Sequence, residues 1–182
     1  MPGYVSRPED IRTLARMHEQ YQELAREAYE EICGSGGIAL ILHTYAPRSV
    51  EIDRVDDGIV AALHRAYEPE RYEQWEQRPD VDLITEDTGG ARLASEALVQ
   101  RLRDEYAAEG ISVAENHTYR LFPGTMGYVH SKRYPERVTC VEISRALLAE
   151  EFRPFEEMRI DDSNARRMAE PIAKALLAAA DL

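Results

Sequence analysis

Two side chains in this sequence have the type and the placement for proton-transfer chemistry. Glu142 lies in Arg137-Val138-Thr139-Cys140-Val141-Glu142-Ile143-Ser144-Arg145, where Val138, Thr139, Val141 and Ile143 predict a buried strand with one carboxylate near its carboxyl end. His43 closes a second apolar run, Ile38-Ala39-Leu40-Ile41-Leu42, and is followed by Thr44 and Tyr45. In open α/β sheets, ligands gather beyond the carboxyl ends of the strands. An imidazole and a carboxylate meeting there could exchange a proton. Equally, Glu142 could pair with Arg145, and His43 could be a hydrogen-bonded strand end.

The elements that must position these groups alternate between strand and helix. Pro8-Glu9-Asp10 opens a long helix with proline and acids where the helix dipole favours them, and Gly34 ends it. Ile11, Leu14, Met17 or His18, Tyr21, Leu24, Ala25, Ala28 and Ile32 give that helix one apolar stripe. Gly34-Ser35-Gly36-Gly37 follows a helix and precedes a strand, so it predicts a cap and turn; a phosphate cradle needs the reverse order. Residues 44–54, with Arg48, form a loop over the strand end, and short helical stretches follow from Asp56 and around Pro69. Residues 79–85 predict a strand and 91–108 a helix capped by Thr88 or the glycines beside it, with 111–113 a brief strand. A polar, glycine-bearing loop across 115–128 precedes the Glu142 strand and could lid a small-molecule site. A last amphipathic helix spans 163–179. The pattern predicts an α/β fold with a mixed, mostly parallel sheet flanked by helices, in a single domain over residues 1–182.

Composition narrows the partners. A formal net charge of -12 argues against a nucleic-acid backbone or an anionic membrane, which reward clustered Lys and Arg. No apolar run approaches the ~20 residues of a membrane span, and the charged N-terminal stretch lacks a signal-peptide core, so a cytoplasmic location is expected. Cys33 and Cys140 lack metal or redox spacing and are expected as free buried thiols, with a nucleophilic Cys140 as the less economical alternative. Glu86 and Asp87 supply oxygen donors for a hard cation, although their spacing matches no EF-hand loop.

Five short patterns resemble the N-formylglutamate amidohydrolase family, zinc-dependent amide hydrolases of a carboxypeptidase-like, phosphorylase/hydrolase-like fold. Four are the strand ending in His43-Thr44, the helix carrying Met17-His18-Glu19-Gln20-Tyr21, the strand at Asp82-Leu83 running into an acidic glycine loop, and Asn116-His117-Thr118-Tyr119. Most specific is Val141-Glu142-Ile143-Ser144-Arg145-Ala146-Leu147, which is similar to that family's Gln-Ile-Glu-Ile-x-Arg pattern. The resemblance implies His43 as a zinc ligand and Glu142 as the general base on metal-bound water. It implies Arg145 as the catalytic-site cation for a substrate carboxylate, with Asn116, Tyr119, Arg48 and Thr44 lining the substrate pocket. The family's early histidine and acidic ligands have no counterpart here, so His18, Glu86, Asp87, His117 or His130 would have to complete a zinc site.

Two functions follow as expectations. One is metal-dependent cleavage of the amide of a small N-acylated amino acid or related carboxylate. The other is a non-catalytic relative that binds a small carboxylate or serves as a partner domain. Homo-oligomerisation is compatible with either.

Overall fold

A computed structural model describes residues 5–52 and 54–180. The chain divides into two compact units, one up to Ala39 and one from Leu40 onward. The first consists mainly of helix α1, Pro8–Cys33, which starts with Pro in its first turn, Glu9 and Asp10 beside it. The long helix expected from the apolar stripe is therefore present, and the glycines after it form a turn, with Gly37 N donating to Ile32 O at 2.8 Å.

The second unit is a mixed α/β arrangement. After α1 come β1 (Ala39–Tyr45), α2 (Ile59–Ala66), the one-turn α3 (Pro69–Tyr72), β2 (Val81–Ile84), α4 (Glu96–Ala108) and β3 (Val113–Glu115). They are followed by α5 (Met126–Arg133), β4 (Val138–Ser144), a 3-10 turn at Arg145–Leu147 and α6 (Asp162–Ala180). The four strands lie in the order β1-β4-β2-β3. β2 runs parallel to β3 but antiparallel to β4, in a register that sets Asp82 opposite Glu142 and Ile84 opposite Cys140. All of β2 is buried, as expected of a central strand covered on both faces.

Packing explains where these elements lie. α4 and α6 pack on each other, and Tyr106 at the core of that contact donates its hydroxyl to Met168 O at 3.0 Å. α5 packs on β4 around Ile84, Leu93, Leu121 and Cys140, with Ile41 and Tyr128 against the same cluster. Gly127 permits that approach, because a Cβ there would stand 2.7 Å from Cys140 Sγ and 3.1 Å from Leu121 Cδ2.

Three local expectations change. The helix expected over 91–108 begins at Glu96, because Leu93 N and Ala94 N are drawn to Thr85 O and Ser95 supplies the cap to Leu98 N. The strand expected at 111–113 is shifted to Val113–Glu115, since Ile111 N still bonds to Tyr106 O at the end of α4. The stretch taken as loop through 128 contains the start of α5, capped by Thr125 Oγ1 accepting from Tyr128 N at 3.3 Å. Among the described residues no helix is long and apolar enough to cross a membrane.

Candidate functional site

His43 and Glu142 come together. His43 Nδ1 lies 3.4 Å from Glu142 Oε1, with the imidazole 65% exposed and the carboxylate only 12% exposed. Neighbouring strands β1 and β4 position them, Glu142 from near the carboxyl end of a strand buried almost throughout. Burial raises the Glu142 pKa above the ordinary carboxylate range, and nearby Asp82 adds to the rise. The charge and hydrogen bond of His43, and then the charge of Arg78, oppose it without cancelling it. A carboxylate held this way is a better proton acceptor than a solvated one.

The pair opens into a cleft of about 500 Å³, lined by the polar His43, Thr44, Arg48, Tyr119, Glu142 and Arg145. Val50, Ile52, Ile59 and Leu63 are among its apolar lining residues. Arg145 does not pair with Glu142; its guanidinium reaches Thr44, with Nε donating to Oγ1 at 3.3 Å and an outer nitrogen to the carbonyl at 3.4 Å. Arg48 is held from behind by Trp75 O at 2.8 Å and by Glu73 Oε2 at 2.9 Å, which leaves part of its charge satisfied before any ligand arrives.

Asn116, expected in the substrate pocket, brackets a loop in this structure. It does not line the cleft; its Oδ1 accepts from Thr85 N at 2.8 Å and Glu86 N at 3.0 Å, and its Nδ2 donates to Thr85 Oγ1 at 2.7 Å. Its backbone has a positive φ of 54°, a conformation that Asn tolerates better than most residues.

Sequence reasoning missed Arg78 and Tyr45. The Arg78 guanidinium lies over the Tyr45 ring at 5.3 Å and the Tyr119 ring at 5.5 Å, on the cleft wall, with Nε donating to Ser49 Oγ at 3.0 Å. Tyr45 is buried and donates to Pro79 O at 2.5 Å; burial first, then the Asp82 charge, pushes its phenol pKa upward, so it stays a neutral donor. Asp82, fully buried across from Glu142, has its carboxylate occupied by His117 N at 3.0 Å and Thr118 N at 2.6 Å. The aromatic-polar signal was visible in Tyr45 directly after His43-Thr44. Nothing local marked Arg78.

The other chemical candidates resolve into structural roles. Asp87 accepts from Gly89 N at 2.9 Å and Ala91 N at 3.0 Å and pairs with Lys132 at 3.3 Å, so its loop is closed by its own backbone. Those backbone bonds, Ala91 first, hold its pKa below the ordinary carboxylate value. The Cys140 thiol is buried and pushed up to about 12, chiefly by burial, which leaves it protonated and unreactive at neutral pH.

Zinc needs about three protein ligands and an open position. His43 and Glu142 offer two donors, and among the described residues no group of three or more His, Cys, Asp or Glu is placed to hold a metal ion. His117 is 3.5 Å from Glu76, and His64 stacks on Phe155. The residues described therefore do not fit the expected zinc centre.

No family model matches this chain, and no curated protein does. Among solved structures, it is similar to the crystal structure of an N-formylglutamate amidohydrolase from Ralstonia eutropha JMP134. The two share 19% identity over 89% of this chain and 48% of that one, with a TM-score of 0.48. The chain spans about half the length of that protein. What the cleft can do follows from its own groups.

Proposed function

We propose that the cleft binds a small molecule carrying a carboxylate beside an amide, the chemistry of an N-acylated amino acid. The observation that carries this is that Arg48, Arg78 and Arg145 all line the cleft that also holds the His43–Glu142 pair. In a chain of net charge -12, guanidinium groups gathered at one cleft favour an anionic ligand there. Arg145 is the principal anchor, since among the described residues its guanidinium makes only long hydrogen bonds, both to Thr44. The apolar lining residues of the cleft take the ligand's hydrocarbon part.

Titration calorimetry with acetate, N-acetylglycine and N-acetylleucine tests this. Saturable binding is expected, weakened about tenfold or more by Arg145→Met because a hydrogen bond to a charged group contributes ~1.5–3 kcal/mol. No saturable heat with any of these carboxylates refutes it.

Amide hydrolysis is a second reading, favoured by one observation: a carboxylate whose pKa is raised in contact with an exposed imidazole. Glu142 would take a proton from water as the water oxygen attacks the amide carbon, then pass that proton to the nitrogen as the C–N bond breaks. The products would be a free amine and a carboxylate. His43, bonded to Glu142, would hold the carboxylate in place and stabilise its charged form between the two transfers. No metal enters these steps. Loss of product formation in Glu142→Gln, with carboxylate binding retained, is the expected outcome; no turnover by the parent protein removes this second reading and leaves the first.

A further inference from the structure

Three guanidinium groups line the cleft, and two of them are already matched inside the protein. Arg48 pairs with Glu73 Oε2 at 2.9 Å and donates to Trp75 O at 2.8 Å. Arg78 lies against the rings of Tyr45 and Tyr119, donates Nε to Ser49 Oγ at 3.0 Å, and sets its charge against that of Glu142. Arg145 keeps only its bonds of 3.3 and 3.4 Å to Thr44 among the described residues. One ligand carboxylate therefore meets a cation with donors to spare. A second would meet the Glu142 carboxylate in a chain of net charge -12.

Helix α2 supplies the complementary feature. Ile59, Leu63 and Tyr67, the last at its C-terminal cap, follow one another at steps of four residues and so share one stripe of the helix. All three are half-buried and line the cleft. α2 packs chiefly on α3 and not on the sheet, so this stripe is not spent on the main core. Other contacts hold the helix in place. His64 stacks on Phe155 at 4.3 Å between ring centroids, Tyr67 stacks on Tyr72 at 5.2 Å, and Ala66 O accepts from Trp75 Nε1 at 2.9 Å. Val50 and Ile52, from the segment after β1, add to the same lining. An apolar stripe fixed by its neighbours beside a cation gains by burying the hydrocarbon of an anchored ligand.

We infer that the cleft selects N-acylated amino acids with a single carboxylate and a large apolar side chain, of the leucine or phenylalanine kind, and that the Ile59–Leu63–Tyr67 stripe of α2 sets this preference. The inference rests on the reading of the cleft as a carboxylate site. A leucine side chain should improve affinity about tenfold over glycine, the lower end of what full burial of such a group gives.

Titration calorimetry on the 182-residue chain tests this with N-acetylglycine, N-acetylleucine, N-acetylphenylalanine and N-acetylglutamate. The leucine and phenylalanine derivatives are expected to bind about tenfold tighter than the glycine derivative, and the glutamate derivative no tighter than glycine. Leu63→Ala and Ile59→Ala should each reduce the leucine-to-glycine ratio severalfold while N-acetylglycine still binds, which also reports that the variant is folded. Val60→Ala, on the same helix but outside the cleft lining, should leave the ratio unchanged. A glutamate derivative that binds as tightly as the leucine one overturns the inference, as does a ratio that neither Leu63→Ala nor Ile59→Ala moves. Glycine and leucine derivatives of equal affinity overturn the preference alone and leave the carboxylate site standing. Binding of none of the four overturns both.

Discussion

Replacing Asn116 by alanine separates the two roles a polar residue beside a cleft can have. The side chain is 7% exposed and makes three hydrogen bonds, so its removal strands Thr85 N and Glu86 N and deprives Thr85 Oγ1 of a donor. Thr85 is fully buried, and leaving its N–H unpaired costs about 1–3 kcal/mol. Glu86 is only partly buried, so water can replace part of its bond, and about 1 kcal/mol is the expected loss there. Alanine at a φ of 54° adds about 1 kcal/mol of backbone strain. The total is roughly 3–5 kcal/mol, a large share of the ~5–15 kcal/mol that holds a domain folded. Urea denaturation followed by circular dichroism measures it, and two controls apportion it. Asn116→Gly should recover about 1 kcal/mol by removing the strain, while Asn116→Asp should cost less than alanine because it keeps the acceptor for both backbone groups. Carboxylate binding, measured below the transition, should be unchanged in all three. A stability loss under about 1 kcal/mol together with a tenfold loss of binding would refute the bracket role and return Asn116 to the pocket.

Glu142→Gln should change how stability depends on pH. The folded carboxyl has a raised pKa, so its stabilising contribution is complete below the unfolded value and is lost as pH rises through the folded one. The variant lacks that loss and should gain on the parent as pH rises from about 4 through the folded value, by ~1.4 kcal/mol for each unit of elevation; parallel stability curves would count against burial as the dominant cause. Gly127→Ala should destabilise by about 1–3 kcal/mol through the clash with Cys140 Sγ, and adding Cys140→Ala should recover much of that, an unaltered loss in the double variant excluding the clash. Arg78→Leu should lower the pKa-opposing positive charge at Glu142 and weaken carboxylate binding, which a titration of the variant against N-acetylleucine checks; unchanged affinity would confine Arg78 to stacking on Tyr45 and Tyr119.

The fold was legible wherever periodicity ran long. α1 and α6 were readable from their stripes, and β1 and β4 from apolar runs dense in branched residues. Shorter elements were not. Gly and Thr around residues 123–127 carry turn chemistry, yet here Thr125 caps α5 and Gly127 is the contact residue inside it. That glycine is explained by a sulfur on another strand, which no local window contains. Likewise Thr88 and its neighbours looked like a cap for α4, whereas long-range closure onto Thr85 O delays the helix until Ser95.

The site shows the same division between local and long-range information. His43, Thr44, Glu142 and Arg145 were recognisable because each sits at or near the carboxyl end of a strand-forming run. Arg78 was invisible for the opposite reason: it precedes its strand. In a parallel pair, the residues before β2 would lie at the far end of the sheet from Glu142. Because β2 runs antiparallel to β4, with Val81 opposite Ile143 and Asp82 opposite Glu142, the segment entering β2 arrives beside the segment leaving β4. The guanidinium and the raised carboxyl are thus brought together by strand direction, a property of the whole sheet. Asn116 fails in the complementary way, since its motif is polar and adjacent to Tyr119, but its amide is already committed to the backbone of residues 85 and 86. Residue type nominates a site, and the accounting of hydrogen bonds decides which nominees have atoms left to meet a ligand.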